Sequence, residues 1–355
     1  MEEEEKVSNT QSAPMMSRLL AATIDFGLVL FLSVFGSSLA YRIAQNTNGE
    51  LKEVISLQSQ NTSSTHLASK NSQGNYVTYT SDQYFEKTEN GYKIIDSLAY
   101  FYTVYLAGDS ERASSGDIVS ISADKEMMVG EEKVTPRNYY TVEWFNQNVL
   151  ELPKEGQEAK YNYFTYQKDA DNNIDYTRIG TVSDTFIETE VVDEQTITKV
   201  NPSEDMINFI YDKYKAAVET FSNQDFMVEY TNKATNINQL ITLICRLSFL
   251  FVFFEIIPFF VKRGKTLGKL LMRISLVDMQ GEPVKKWQIL VRPLLFFTVP
   301  LVLYFIPNLF VQIGIVLGLL IATIVMMAVN KKNHLVIHDY FARTLVSEDV
   351  ISTRE

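Results

Sequence analysis

SRLLAATIDFGLVLFLSVFGSSLAY, residues Ser17–Tyr41, decides what kind of protein this is. From Leu19 onward it is almost wholly apolar and long enough to cross a bilayer, which takes roughly 20 residues. Asp25 interrupts it. An aspartate within such a span disfavours insertion by roughly 2.5–3.5 kcal/mol, so it asks for a role in chemistry or in holding helices together. Arg18 lies seven residues earlier. That spacing is close to two helical turns, and the two side chains project from nearly one face. The stretch predicts a membrane helix with a polar seam.

Working outward, further apolar blocks lie at 237–261 and 289–329. The last is too long for one span, and Pro307-Asn308 breaks it. The pattern predicts transmembrane helices over 18–41, 237–261, 289–306 and 309–329. The segment 262–288 is rich in Lys and Arg, and Lys331 and Lys332 follow the last span. The positive-inside rule places these segments, the 1–17 tail and the 330–355 tail in the cytoplasm. Residues 42–236 then lie outside, whatever their charge, because long loops translocate largely regardless of it. The expected fold class is a mainly α membrane protein, with four transmembrane helices and a mixed α/β extracytoplasmic domain.

Composition agrees with two unlike parts. The 355-residue chain has a formal charge of −11, and its mean hydropathy of −0.05 averages over both. Arg42 to Lys233 carries 17 Lys+Arg and 31 Asp+Glu; the remainder carries 15 and 12. So acidic a balance argues against nucleic acid, which needs basic patches. A single Cys, Cys245, excludes an intrachain disulfide framework. A large external domain without disulfides points to a bacterial plasma membrane. The opening MEEEEK is the opposite of a basic signal-peptide start, although Ser38-Leu39-Ala40 loosely resembles a cleavage site.

Within 42–236, the Ser/Thr/Asn/Gln-rich stretch 56–75 reads as loose. Lys93–Ala107 and Arg137–Leu150 read as helices or long strands. Tyr161–Gln167 and Ile174–Val182 flank DADNN as a hairpin. Asn201-Pro202-Ser203-Glu204 reads as a helix start with Asn201 as the cap. His66 is the only histidine in this domain. No nucleophile–base set, metal spacing or cofactor signature stands out, so the chain is not expected to be an enzyme, and a binding role toward a ligand or protein is the default for the domain.

The candidate site lies in the spans. Asp25 sits about 10 Å along its helix from Arg18, and Glu255 about 9 Å from the end of the second span at Val261. On antiparallel helices both carboxylates reach similar depth in the inner leaflet, the arrangement a cation or proton site needs. The alternative is packing: Asp25 salt-bridged to an arginine, Glu255 hydrogen-bonded within the bundle. Arg246 is out of phase with Glu255 and reads as snorkelling to headgroups. Arg292 opens the third span, placed to bind lipid phosphate or to reach Asp25. Gly264-Lys265-Thr266-Leu267-Gly268-Lys269 fails as a nucleotide loop, having too few residues between its glycines and Leu270 where Ser or Thr is required. With Lys265, Lys269 and Arg273 it reads as a turn touching membrane lipids. A hairpin is expected after it, Arg273–Val277 with Val284–Ile289. His334, His338 and Asp339 would suffice for zinc, but the segment reads better as a hydrogen-bonded cap.

Taken together these segments resemble the RDD family of bacterial membrane proteins, named for an arginine and two aspartates. Arg18 and Asp25 within SRLLAATID match its first helix. Gly264-Lys265-Thr266-Leu267-Gly268-Lys269 matches its Gly-x-Thr-Pro-Gly-Lys turn, with Leu267 in place of Pro. Leu290-Val291-Arg292 matches the arginine opening a later helix, and His338-Asp339 with Ala342–Val346 matches the tail. The resemblance covers 15–41 and 240–347 and leaves 42–236 outside. It implies Asp339 as the second aspartate and transport, in some members cation–proton exchange. The expected activity is proton-coupled transport of a cation or small solute, with Asp25 and Glu255 as the ion or proton site and Arg18, Arg292 and Asp339 as electrostatic partners. Four helices make a small transporter, so a homo-oligomer is the expected transporting form. The alternative is a non-catalytic envelope protein whose helices anchor the external domain.

Overall fold

The computed structural model describes residues 12–89, 91–192, 195–306, 308–329 and 335–348. Pro307, Lys331, Lys332 and His334 lie outside the described residues, as do 1–11 and 349–355 of the expected tails. The chain divides into two compact units, Met1–Asn48 with Thr235–Glu355, and Gly49–Ala234.

Helix α1 (Met15–Thr47) starts behind Pro14, whose ring fixes φ near the helical value, and ends at Asn48 in extended conformation. Its buried residues, Arg18, Ala21, Asp25, Val29, Ser33 and Ser37, recur every three or four positions and form one face. Phe31, Val34 and Phe35 lie on the other side and are more than half exposed, as lipid-facing side chains are.

The Gly49–Ala234 unit begins with α2 (Gly49–Ser64). The polar stretch expected to be loose is therefore helical in its first part, up to Ser64. Its polarity misleads because Asn61 and Ser64 are buried hydrogen-bonding residues: Tyr105 donates to Asn61 at 2.9 Å and the Ile118 N–H to Ser64 at 3.0 Å. A short hairpin of β1 (Ala68–Lys70) and β2 (Tyr76–Thr78) follows. Helix α3 (Lys93–Tyr100) continues into a widened π-type turn, Phe101–Leu106. After it come β3 (Met127–Val129), β4 (Glu132–Val134), α4 (Pro136–Tyr139) and α5 (Val142–Asn148). The pair β5 (Phe164–Thr165) and β6 (Thr181–Val182) closes the expected DADNN hairpin, helped by a bridge between Lys168 and Ile174. Strands β7 (Ile187–Val192) and β8 (Gln195–Val200) pair antiparallel. Helix α6 (Glu204–Ser222) is capped by Ser203, which accepts from the Met206 N–H. The expected cap, Asn201, instead donates to Glu188. The apolar face of α6 (Met206, Ile210, Tyr214, Ala217, Phe221) packs into one core with Tyr84, Leu98, Phe101 and Phe145.

Helix α7 (Asp225–Phe251) runs into a π-type turn, Val252–Ile256, and then α8 (Ile257–Phe260). A short α9 (Leu267–Leu271) leads to β9 (Ile274–Asp278). The next segment is not the second arm of a hairpin. It is α10 (Lys286–Val291), because Gln288 folds back onto the Lys285 N–H and its amide donates to the carbonyls of Ala342 and Arg343. The partner of β9 is β10 (Thr344–Glu348), antiparallel from Ile274↔Glu348 to Thr344↔Asp278. Between them lie α11 (Leu294–Tyr304), α12 (Leu309–Val329) and α13 (Ile337–Ala342). The Ala13 N–H donates to the Val346 carbonyl at 2.9 Å, so β10 holds the start of the chain as well.

Among the described residues, four stretches are long and apolar enough to cross a membrane: Met15–Thr47, Asp225–Phe260, Lys286–Tyr304 and Phe310–Val329. The first two are longer than the spans expected at 18–41 and 237–261, because apolar runs mark the hydrocarbon crossing and not the polar helical turns continuing past it. The third is two helices meeting at Arg292–Pro293. The chain is a mainly α membrane protein with a mixed α/β unit between its first two spans.

Candidate functional site

The polar seam of α1 resolves into two linked clusters, both inside the membrane-spanning unit. The first is built on Asp25, 2% exposed. Its Oδ1 accepts from the Gly268 N–H at 2.7 Å, and its Oδ2 accepts from the Thr266 hydroxyl. Thr266 is also the N-cap of α9, accepting from the Lys269 N–H. The aspartate thus ties α1 to the first turn of α9, where free N–H groups favour a negative charge.

That contact dictates the glycines around it. A Cβ on Gly268 would lie 2.1 Å from the Ala21 carbonyl oxygen, which is backbone and cannot give way. Gly264 has φ +59, in the left-handed region, and a Cβ there would press on Leu276 and Ile289. The Gly-x-Thr-x-Gly-Lys pattern is therefore a socket for Asp25. The turn expected to touch lipid headgroups spends Thr266 and Gly268 on a carboxylate of its own chain.

The second cluster is centred on Asp339, which is fully buried. Arg18 donates to its Oδ2 at 2.7 Å and Arg292 to its Oδ1 at 2.5 Å. The Val336 N–H also reaches Oδ2, at 3.3 Å, so the carboxylate caps the first turn of α13 as well. Arg292 lies 3.2 Å from Nε2 of His338, whose ring packs 5.1 Å from that of Phe296. Burial raises the Asp339 pKa, but Arg292, His338 and Arg18 outweigh it and hold the carboxyl below its ordinary value. Burial, with some help from Arg292, depresses His338 to about 3. A neutral imidazole can accept from Arg292; an imidazolium cannot. Lys269 joins the two clusters. Burial, then Arg292, lowers it to about 7, against the pull of Asp25 and Asp339.

The structure thus brings Arg18, Arg292 and Asp339 together as one ion-pair group, and puts Lys269 within the influence of both aspartates. Arg18 and Asp25 share a face of α1, as their spacing implied, yet serve different partners, and Arg292 reaches Asp339. Glu255 bonds to neither cluster. It is 5% exposed and its Oε2 has no hydrogen-bond partner. Arg273 is exposed and Lys265 and Arg246 are half-buried. Among the described residues no three His, Cys, Asp or Glu side chains are placed to hold a metal ion.

One arrangement in the Gly49–Ala234 unit was not legible in the sequence. His66, at φ +57, lies 2.6 Å from Asp117, which also accepts from the Tyr100 hydroxyl at 2.8 Å. The His66 and Tyr100 rings stack 3.9 Å apart. The three residues are scattered along the chain, so no local motif announces them.

Residues 207–343 match the RDD family. The match lies in the C-terminal part of the chain. Arg18 and Asp25 lie outside the matched residues, and the contacts above show how they join it. No curated protein and no solved structure matches the chain.

Proposed function

From the premise of an RDD-family membrane unit, we propose that this chain is a non-enzymatic bacterial plasma-membrane protein whose spans anchor the Gly49–Ala234 unit outside the cell, where it binds a ligand or partner protein. The N- and C-termini lie in the cytoplasm in this reading, following the basic residues of 262–288. One observation carries it: each oxygen of Asp25 and of Asp339 already accepts from a donor of the same unit. Carboxylates so occupied act as ties between segments of the unit.

Cysteine accessibility tests it. On a Cys245→Ser background, Gln73→Cys should react with an impermeant maleimide on intact cells. Glu282→Cys should react only after permeabilisation. The opposite pattern overturns the topology and with it the external binding role.

Proton-coupled passage of a cation or small solute, through a homo-oligomer, is the second reading. Ser33 favours it: its hydroxyl is buried on the inward face of α1 without a hydrogen-bond partner, in line with Asp25 and Ser37. Ion flux in vesicles that Ser33→Ala abolishes at unchanged protein level would support this reading over the first.

A further inference from the structure

We propose that Glu255 is a proton-binding carboxyl set inside the second membrane-spanning helix. The inference is independent of the anchoring reading, since a binding protein and a transporter could both contain such a group.

Apolar residues surround the side chain. Phe253, Phe254, Ile256 and Ile257 flank it in sequence, and most of these pack with Phe26 and Val29 of α1. Two contacts set the register of the helices. Gly36 lies against the ring of Phe249, and the Phe26 and Phe254 rings are 5.1 Å apart. The helices therefore run antiparallel, and Glu255 stands level with the Asp25–Val29 stretch of α1. Asp25 has its donors at that level; Glu255 has none on Oε2.

Among the described residues no cation is paired with it. Arg18 and Arg292 are engaged by Asp339. Lys269 lies in the field of Asp25 and Asp339. Arg246, on the same helix, is nine residues away and half a turn out of phase. Among the described residues Glu255 forms no ion pair. An ionised carboxylate without donors or counter-charge in an apolar span is the unfavourable state, and a bound proton removes the charge without any rearrangement. The backbone adds a second, separate observation: Glu255 lies in the π-type turn Val252–Ile256. Such turns widen a helix by one residue and recur at functional positions. The contrast with the two aspartates separates the roles. Each of their oxygens accepts from a donor of the same unit, whereas Oε2 of Glu255 has none.

Dicyclohexylcarbodiimide, which reacts with protonated carboxyls in apolar surroundings, is the probe. The full-length protein in phospholipid vesicles is treated across a pH series and the adduct is located by peptide mass. The expected adduct is on Glu255, with a yield that falls severalfold as pH rises, while Asp25 and Asp339 stay unmodified. A protonated-carboxyl infrared band should be present and should be lost in Glu255→Gln. Absence of adduct at Glu255 in protein that shows a cooperative melt overturns the proposal. So does an adduct yield that does not change with pH, which would mark a permanently neutral structural acid.

Discussion

Arg18 and Asp339 are separated by 321 residues in sequence and by 2.7 Å in space. Arg292 meets the same carboxylate from the opposite oxygen. One aspartate thus pairs with two guanidinium groups, and the removal of each partner has a different consequence.

Asp339→Asn removes the carboxylate that both buried arginines share. Breaking a buried pair from one side typically destabilises by about 3–5 kcal/mol. Arg18→Gln should do less, because Asp339 keeps Arg292. The expected order is Asp339→Asn, then Arg18→Gln, in loss of melting temperature of the detergent-solubilised protein. Equal losses would show that the two arginines act as one unit.

Gly268→Ala should be far more damaging than either Gly314→Ala or Gly318→Ala. The first places a methyl group against the Ala21 carbonyl, and the other two point into open space. Overpacking costs about 1–3 kcal/mol even where side chains can shift; here the obstacle is backbone. Thermal melts of the three variants, purified in one detergent, make the comparison.

Thr266→Val removes one donor to Asp25 and leaves the Gly268 N–H. A hydrogen bond to a charged group is worth about 1.5–3 kcal/mol, and a loss in that range is expected. Asp25→Asn should behave similarly, lowering folded yield without abolishing any ion flux that the remaining folded protein shows. Flux lost at full yield and unchanged melting temperature would argue that Asp25 conducts.

Acid should destabilise the membrane unit in two ways. His338 has a folded pKa of about 3 against an ordinary 6.5. Between those values the unfolded chain binds the extra proton, so stability falls as pH drops below 6.5. Asp339, held below its usual range, acts in the same direction at lower pH. Lys269 has the opposite chemistry but the same sign. Its folded pKa of about 7 lies below an ordinary 10.5, so the unfolded chain holds more protons between them and stability rises with pH there. Lys269→Met should flatten the melting-temperature profile above neutral pH, and His338→Gln should flatten the part just below it.

Much of the bundle was readable because its signals are local. Four apolar runs gave four spans, and seven-residue spacing put Arg18 and Asp25 on one face. The family likeness supplied Asp339 and the glycine turn. What failed was non-local. Nothing in Val284–Ile289 reveals that Gln288 will hold the end of α13, which makes that segment helical and frees β9 to pair with β10. The polar composition of α2 hid a buried face, because Asn61 and Ser64 are interior when a partner lies across from them. Asp25 and Glu255 stand on facing stretches of antiparallel helices, yet they do not share a site.

The placement of β10 also sets an order of events during synthesis. Arg18 enters the bilayer with the first span, and its counter-charge is made 321 residues later. At roughly 5–20 residues per second, the arginine waits on the order of tens of seconds before Asp339 exists. Strand β10, which pins both Ala13 and β9, emerges later still. Strand β9 therefore stays without its partner, and Arg18 without Asp339, until almost the whole chain has been translated. A ribosome stalled before residue 339 would leave the Asp25 socket formed and both the Asp339 ion pairs and the β9–β10 ladder missing.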